Sequence, residues 1–345
     1  MSEFMRSIAV FGKDDVRMVD DVIKPEIKPY ECLVKTRACG FCNGTDFHII
    51  RGQMAIDVDA FPILLGHEGV GEIVEVGSKV KNYRVGQRFI NPPFVRTTEK
   101  YGATWGQMSD YGVIQDWEVM DELGIPASER NGAQNIMRQI PDDFDCIDAG
   151  VMLSLNECFS AAKNFTVEGK DVLVYGAGPM GLGTMKYMRI LGAKSITCID
   201  SVDERLELAK TLSGVDRTIN FAKEDKDEIL GDELFDRVID IVGLTSILME
   251  GSQRLRPYGI VGSMGVLKNT DAVVDVTKLK NNTLLQMLNF PYGQYDITSE
   301  NVELMRKGVI NPKDFYTHVR KPEQIDEVLQ LVTTKEALKV VIDFD

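Results

Sequence analysis

Two short stretches of this sequence gather groups that can do chemistry together. Cys39-Gly40-Phe41-Cys42-Asn43-Gly44-Thr45-Asp46-Phe47-His48 holds thiols, a hydroxyl, a carboxylate and an imidazole, and Gly66-His67-Glu68 adds a second imidazole and carboxylate. A soft thiolate beside imidazole and carboxylate suits Zn²⁺, and a catalytic zinc uses three protein ligands and leaves a fourth position open. Taken alone, Cys42 would read as a small buried hydrophobe, because free cysteines are among the most buried residues. Its neighbours shift that balance.

Further along, Asp171-Val172-Leu173-Val174-Tyr175 reads as a buried strand running into Gly176-Ala177-Gly178-Pro179-Met180-Gly181 and then a helix through Arg189. The glycines permit a tight turn and close approach of backbone to a pyrophosphate, whose charge then sits at the helix N-terminus. Gly176, Gly178, Pro179, Met180 and Gly181 are therefore the candidate phosphate-binding residues. A second strand, 195 to 199, leads to Asp200, about 20 residues beyond the glycines, where a carboxylate accepts hydrogen bonds from an adenosine ribose. An acid at that point repels a 2′-phosphate, so NAD is expected over NADP. Arg205 either covers the adenine or is a surface charge of the following helix.

These groups must be positioned by two kinds of scaffold. Residues 6 to 92 alternate apolar and polar side chains in short segments punctuated by glycine, the pattern of an antiparallel, barrel-like β domain, with Val34 to Ala38 as a strand leading into the cysteine loop. From about 93 to 140 the proline, glycine and polar content predicts long irregular loops with short helices. Residues 150 to 164 read as a helix. Beyond it, strands at 171–175, 195–199, 236–241 and 258–263 alternate with helices at 180–191, 202–213 and 245–255, which predicts a doubly wound parallel sheet. A helix over 322–328 and a strand over 338–342 close the chain. Cys32 and Cys198 sit in strand-like runs and are expected to pack in cores. Trp105, Trp117 and Tyr111 read as core residues more readily than as a pocket lining.

With these motifs in order, the chain resembles a medium-chain dehydrogenase/reductase of the zinc-dependent alcohol and polyol dehydrogenase type. The resemblance runs over essentially all 345 residues: the cysteine loop, Leu65 to Val74, the Val76-Gly77 and Val85-Gly86 turns, the glycine fingerprint and the ending from Gly308 to Phe344. It implies an α/β protein, a Rossmann doubly wound sheet over 156–290 plus a GroES-like antiparallel β-barrel catalytic domain over 1–155 completed by about 291–345. It further implies Cys42 and His67 as zinc ligands, Asp46 as the carboxylate that holds the His67 tautomer, and Glu68 as a carboxylate close to the metal. Thr45 and His48 match a proton relay, although His48 reads equally as a surface imidazole, Glu68 also as a solvated acid, and His318 as structural. Asn43-Gly44 places Thr45 one residue further from Cys42 than in many relatives, so an extra residue must be absorbed.

The third ligand departs from the family pattern. Counting back from Gly176 puts it near Met152 or Leu153, neither able to bind zinc; Glu157, one helical turn beyond Leu153, is the favoured substitute, with Glu68 as the alternate. The same departure leaves room for weak or absent metal binding, and so for a metal-free NAD(P)H reductase of quinones or enones, or a nucleotide-binding protein without catalysis. Relatives often carry a four-cysteine lobe holding a structural zinc; residues 90 to 145 contain no cysteine, so one catalytic zinc and no structural zinc is expected.

The formal charge of −14 argues against bulk attraction to nucleic acid. No run of about 18 apolar residues and no signal-peptide core is present, so no membrane partner and a cytoplasmic location are expected. The six cysteines form no dense framework, which predicts reduced thiols. The resemblance implies a small-molecule alcohol or carbonyl substrate, with a lean toward a polyol or sugar-like secondary alcohol, and a homodimer or homotetramer paired along the nucleotide-binding sheet.

Overall fold

The computed structural model describes residues 3–53, 61–93, 100–103, 105–265, 271 and 273–345. The chain divides into two compact units, one formed by Met1–Leu153 with Thr298–Asp345 and one by Ser154–Ile297.

In the first unit the strand Glu31–Phe41 is the spine of a seven-stranded sheet. Most of its length, Cys32 to Cys39, pairs antiparallel with Gly69–Val76, its first half with Tyr111–Gln115, and its end with Val340–Asp343. The register sets Cys39 opposite Gly69 and Gly40 opposite Val341, so two segments far apart in sequence flank the cysteine loop. A second, four-stranded sheet runs Asp15–Ile23, Phe4–Gly12, Ile63–Leu64, Gly102–Ala103. Ile8, Val10, Phe41, Leu65, Met108, Val340 and Ile342 build the core beneath the loop. The short helix Thr45–Ile50 is pinned to that core by Ile49 and Ile50, each contributing roughly 1.5–3 kcal/mol on burial.

The antiparallel expectation holds for most pairs but not all. His318–Arg320 and Val340–Asp343 are parallel neighbours, because the helix Ile325–Thr333 carries the chain back as a crossover between them. That helix starts later than the sequence pattern predicts. Pro322 opens a 3-10 turn, Pro322–Gln324, in which the Lys321 main-chain N–H donates to Gln324 Oε1 at 2.9 Å, and the α-helix follows. Within the expected loop, positions 94–99 and 104 lie outside the described residues; the strand Tyr111–Gln115 and the helix Trp117–Glu122, capped by Asp116, interrupt the remainder.

The second unit holds a six-stranded sheet, parallel throughout, in the order Arg217–Asn220, Ser195–Asp200, Asp171–Tyr175, Phe235–Asp240, Leu255–Ser263, Leu284–Met287. Numbered along the unit this is 3-2-1-4-5-6, the Rossmann arrangement, and ligands of such sheets bind outside the strand C-termini where the order reverses. The reversal falls beside Asp171–Tyr175, at the glycine turn. The strands Arg217–Asn220 and Leu284–Met287 lacked a sequence signal strong enough to single them out: each is four residues long and lies at the sheet edge.

Candidate active site

Cys42 follows the end of the strand Glu31–Phe41, and residues 42–44 turn the chain into the helix Thr45–Ile50. The extra residue in this turn is absorbed there. Gly44 occupies the helix N-cap position and Asn43 Nδ2 donates to the Leu338 carbonyl at 3.2 Å, tying the turn to the C-terminal segment. The Thr45 amide donates to Cys42 Sγ at 3.3 Å. Cys39, by contrast, is wholly buried in the strand, and burial pushes its thiol well above the ordinary range. Of the two, Cys42 is the one placed to bind a metal.

Cys42, His67 and Glu68 bring one sulfur, one ring nitrogen and one carboxylate oxygen within 4.8 Å of one another. Donors around a tetrahedral zinc stand roughly 3.3–3.8 Å apart, given bonds of about 2.0–2.3 Å. The His67 Nε2 to Glu68 Oε1 distance of 4.0 Å is already close to that. Asp46, fully buried, faces the other side of the imidazole, with Oδ1 3.2 Å from His67 Nδ1. Its second oxygen accepts the Cys42 amide at 3.0 Å, so one carboxylate touches both segments that carry the candidate ligands. That contact directs Nε2 toward the cluster. Burial works against a charged His67, but Asp46 and Cys42 outweigh it and raise the imidazole well above its ordinary value.

Glu68 is 4% exposed and does not stand alone. Lys339, 5% exposed, places Nζ 2.8 Å from Glu68 Oε1 and 2.6 Å from Oε2. Gly40 makes room for this pair: a Cβ there would lie 2.6 Å from Glu68 Oε2, 3.0 Å from Lys339 Cε and 2.3 Å from the Gly150 carbonyl. With a thiolate at Cys42 and His67 neutral, as a metal ligand must be, the negative charges of Cys42, Asp46 and Glu68 exceed the positive charge of Lys339 by two. A divalent cation restores neutrality in a buried pocket, which is the condition for keeping so many charges out of water. The donor set and its charge both fit zinc.

Lys339 escaped sequence reasoning, though a signal was present. In Leu338-Lys339-Val340-Val341-Ile342 a single ammonium interrupts a buried apolar run, and such a charge needs a partner. Trp105 is also more than core: its ring lies 5.3 Å from that of His67 at 48°. Trp117 instead sits under Arg130, and Tyr111 under Lys24. Thr45 and His48 occupy the first and fourth positions of one short helix, hence one face. His318 lies elsewhere, with Nδ1 2.8 Å from Thr317 Oγ1.

In the second unit, Gly176 adopts φ +105°, open to glycine and strained for other residues. A Cβ on Gly181 would lie 2.0 Å from the Gly176 carbonyl, so the helix Pro179–Ile190 can begin this close to the strand only without a side chain there. Pro179 and Met180 open that helix. Asp200 closes its strand and accepts the Ala177 amide at 2.7 Å through Oδ2, with the Ser201 and Val202 amides on Oδ1. The Arg205 guanidinium lies 4.0 Å from the Cβ position of Gly178, beside the same turn. Glu157 belongs to this unit, on the helix Met152–Asn164, and with burial its charge raises the Tyr292 phenol. Met152 and Leu153, at the start of the helix, are buried apolar residues, and Cys158 packs with Sγ 2.7 Å from the Cβ position of Gly183.

Two family models match this chain: the alcohol dehydrogenase GroES-like domain over residues 28–126 and the zinc-binding dehydrogenase domain over 179–307. The chain belongs to the zinc-type medium-chain dehydrogenases/reductases. It is 25% identical to L-threonine 3-dehydrogenase of Shewanella woodyi, covering 99% of this chain and all of that one. Among solved structures, L-idonate 5-dehydrogenase of Escherichia coli K-12 superposes with a TM-score of 0.79 at 21% identity, over 99% of both chains. The alcohol dehydrogenase rspB of Escherichia coli CFT073, solved with NADH, superposes at 0.79 and 23% identity, again over 99% of both. As a member of this family the chain is an oxidoreductase with a GroES-like and a Rossmann domain. Among the described residues no helix is long and apolar enough to cross a membrane.

Proposed function

We propose that this dehydrogenase carries one zinc and transfers a hydride between NAD and a secondary alcohol, of the polyol or sugar-like class. The observation that carries the reading is the convergence of Cys42, His67 and Glu68, with Asp46 behind the imidazole. Bound there, zinc supplies a Lewis acid that acidifies a hydroxyl near neutral pH or polarises a carbonyl. Cys42 and His67 hold it. Glu68, oriented by Lys339, is the carboxylate ligand in this reading.

Thr45 takes the proton released by the substrate hydroxyl, and His48, on the same helix face, passes it to solvent; imidazoles titrate near pH ~6.5 and can serve both steps. The backbone of Gly176 to Gly181 receives the pyrophosphate, Asp200 the ribose hydroxyls, and Arg205 the adenine. The lean toward a polar secondary alcohol draws support from the relatives named for L-threonine and L-idonate. The exposed edge strand Leu284–Met287, with Leu284 53% and Leu285 40% exposed, is the surface along which a homodimer or homotetramer would pair. The protein is placed in the cytoplasm in this reading.

A panel of polyols, hydroxy acids and secondary alcohols assayed with NAD, before and after a chelator, tests the proposal. Turnover of a polar secondary alcohol that disappears with the metal and returns with zinc is expected. Full turnover in metal-stripped protein would contradict it.

A further inference from the structure

The metal-binding segment Gly66 to Gly69 is held by two buried carboxamides that the reaction itself does not require. Asn91 is 1% and Gln107 4% exposed. Asn91 ends the strand Arg88–Ile90 with φ +51°, a left-handed conformation that asparagine tolerates better than most residues. There its main-chain N–H donates to the Gly69 carbonyl at 2.8 Å and its Nδ2 to the His67 carbonyl at 2.5 Å. Gln107 Oε1 accepts the Gly69 amide at 2.7 Å, its Nε2 donates to the Pro92 carbonyl at 3.3 Å, and its own amide donates to the Gly66 carbonyl at 2.9 Å. Asn91 Nδ2 lies 3.5 Å from Gln107 Oε1, so the two side chains also meet. The Glu68 carbonyl accepts from Gly40 at 3.2 Å. The carbonyls of four consecutive residues are thereby each held by a different donor.

Asn91 Oδ1 is buried and has no hydrogen-bond partner among the described residues. Nδ2 must be the end that faces His67 and Gln107, because both offer acceptors. An apolar side chain of the same size would avoid the bare oxygen, so packing alone does not account for an amide at this position. We propose that Asn91 and Gln107 are positioning residues: a carboxamide clamp that fixes the main chain carrying His67 and Glu68, and so sets the geometry of the metal centre. This rests on the reading of Cys42, His67 and Glu68 as a zinc site. Groups that orient metal ligands change affinity by roughly 10–100-fold when removed.

The test uses the full chain with Gln107→Met, which keeps volume and removes all three side-chain hydrogen bonds, and Asn91→Gly, which keeps the left-handed backbone accessible and removes the amide. Each is compared with the unsubstituted protein for zinc release to a chromogenic chelator, for the absorption bands of the cobalt(II)-substituted form, and for hydrogen exchange at the Gly69 amide without metal. NADH binding serves as the folding control. The clamp predicts zinc release at least roughly tenfold faster in both variants, shifted cobalt bands, and faster Gly69 exchange in Gln107→Met. Release rates and cobalt spectra equal to the parent, whatever the exchange result, would overturn the positioning role. A parent protein that takes up neither metal would overturn the zinc reading, and the clamp's role with it.

Discussion

In the first unit charge is gathered by side chains from separate places in the sequence: Cys42 and Asp46 from one loop and helix, His67 and Glu68 from another, Lys339 from the last strand. In the second unit the work falls to consecutive main-chain groups of Gly176 to Gly181 and one carboxylate, Asp200, that ties the turn to the neighbouring strand. The difference has energetic consequences. A turn of backbone donors carries partial charges that need little compensation, so it tolerates an empty site. The assembled pocket carries full charges in a largely buried place, and in the zinc reading a dication takes over the balance that a proton on His67 supplies without it. Loss of one ligand should therefore disable the first site entirely, whereas loss of Asp200 should only weaken the second.

The sharpest way to break this contrast is Cys42→Ser. Zinc content should fall to near zero and turnover by on the order of 10³-fold or more, the several kcal/mol of charge stabilisation a Lewis acid supplies. NADH binding should stay within about twofold, and metal analysis with calorimetry checks both. Equal loss of NADH binding would show that the two sites are not separable.

Asp46→Asn comes next. It retains the shape but removes the charge behind His67, and zinc affinity by chelator competition should drop roughly 10–100-fold. On the nucleotide side, Asp200→Ala should weaken NADH by roughly tenfold, the order of one charge-assisted hydrogen bond, and NADPH less. A variant that gains no relative affinity for NADPH would remove the ribose assignment.

The smallest effect concerns protons. In metal-free protein the His67 imidazole is raised above its ordinary value, so its pairing with Asp46 stabilises the fold below about pH 6.5 and that contribution is lost as pH rises through the raised value. Zinc must displace this proton, so uptake should strengthen as pH rises from 6 to 8, with proton release on zinc addition in weak buffer. A flat dependence would indicate that His67 is neutral before metal binds.

The same contrast explains what could be read from the residues alone. The glycine turn was legible because its parts are contiguous: strand, Gly176 to Gly181, helix and Asp200 follow one another, and each constrains local backbone geometry. The Rossmann order followed from alternating strands and helices, although the edge strands Arg217–Asn220 and Leu284–Met287 were too short to register. The pocket was legible only in its dense part. Cys42, Asp46, His67 and Glu68 lie in two short runs, whereas Lys339 lies some 270 positions away and comes to Glu68 only because Val340–Asp343 pairs with Glu31–Phe41. Gly40 looks like any loop glycine until the register places the Glu68 and Lys339 side chains against it. Trp105 carries no pattern that separates a core ring from one beside a ligand. The count back from Gly176 led to Met152 and Leu153, both buried apolar residues, and from there to Glu157, whereas the structure groups Glu68 with Cys42 and His67.

Zinc K-edge X-ray absorption on the isolated protein addresses the central claim most directly. The account predicts one zinc per chain with a single sulfur neighbour at about 2.3 Å and nitrogen or oxygen neighbours at about 2.0–2.2 Å, the sulfur signal vanishing in Cys42→Ser. A zinc surrounded by several sulfurs, or a protein that retains alcohol turnover with no zinc at all, would contradict it.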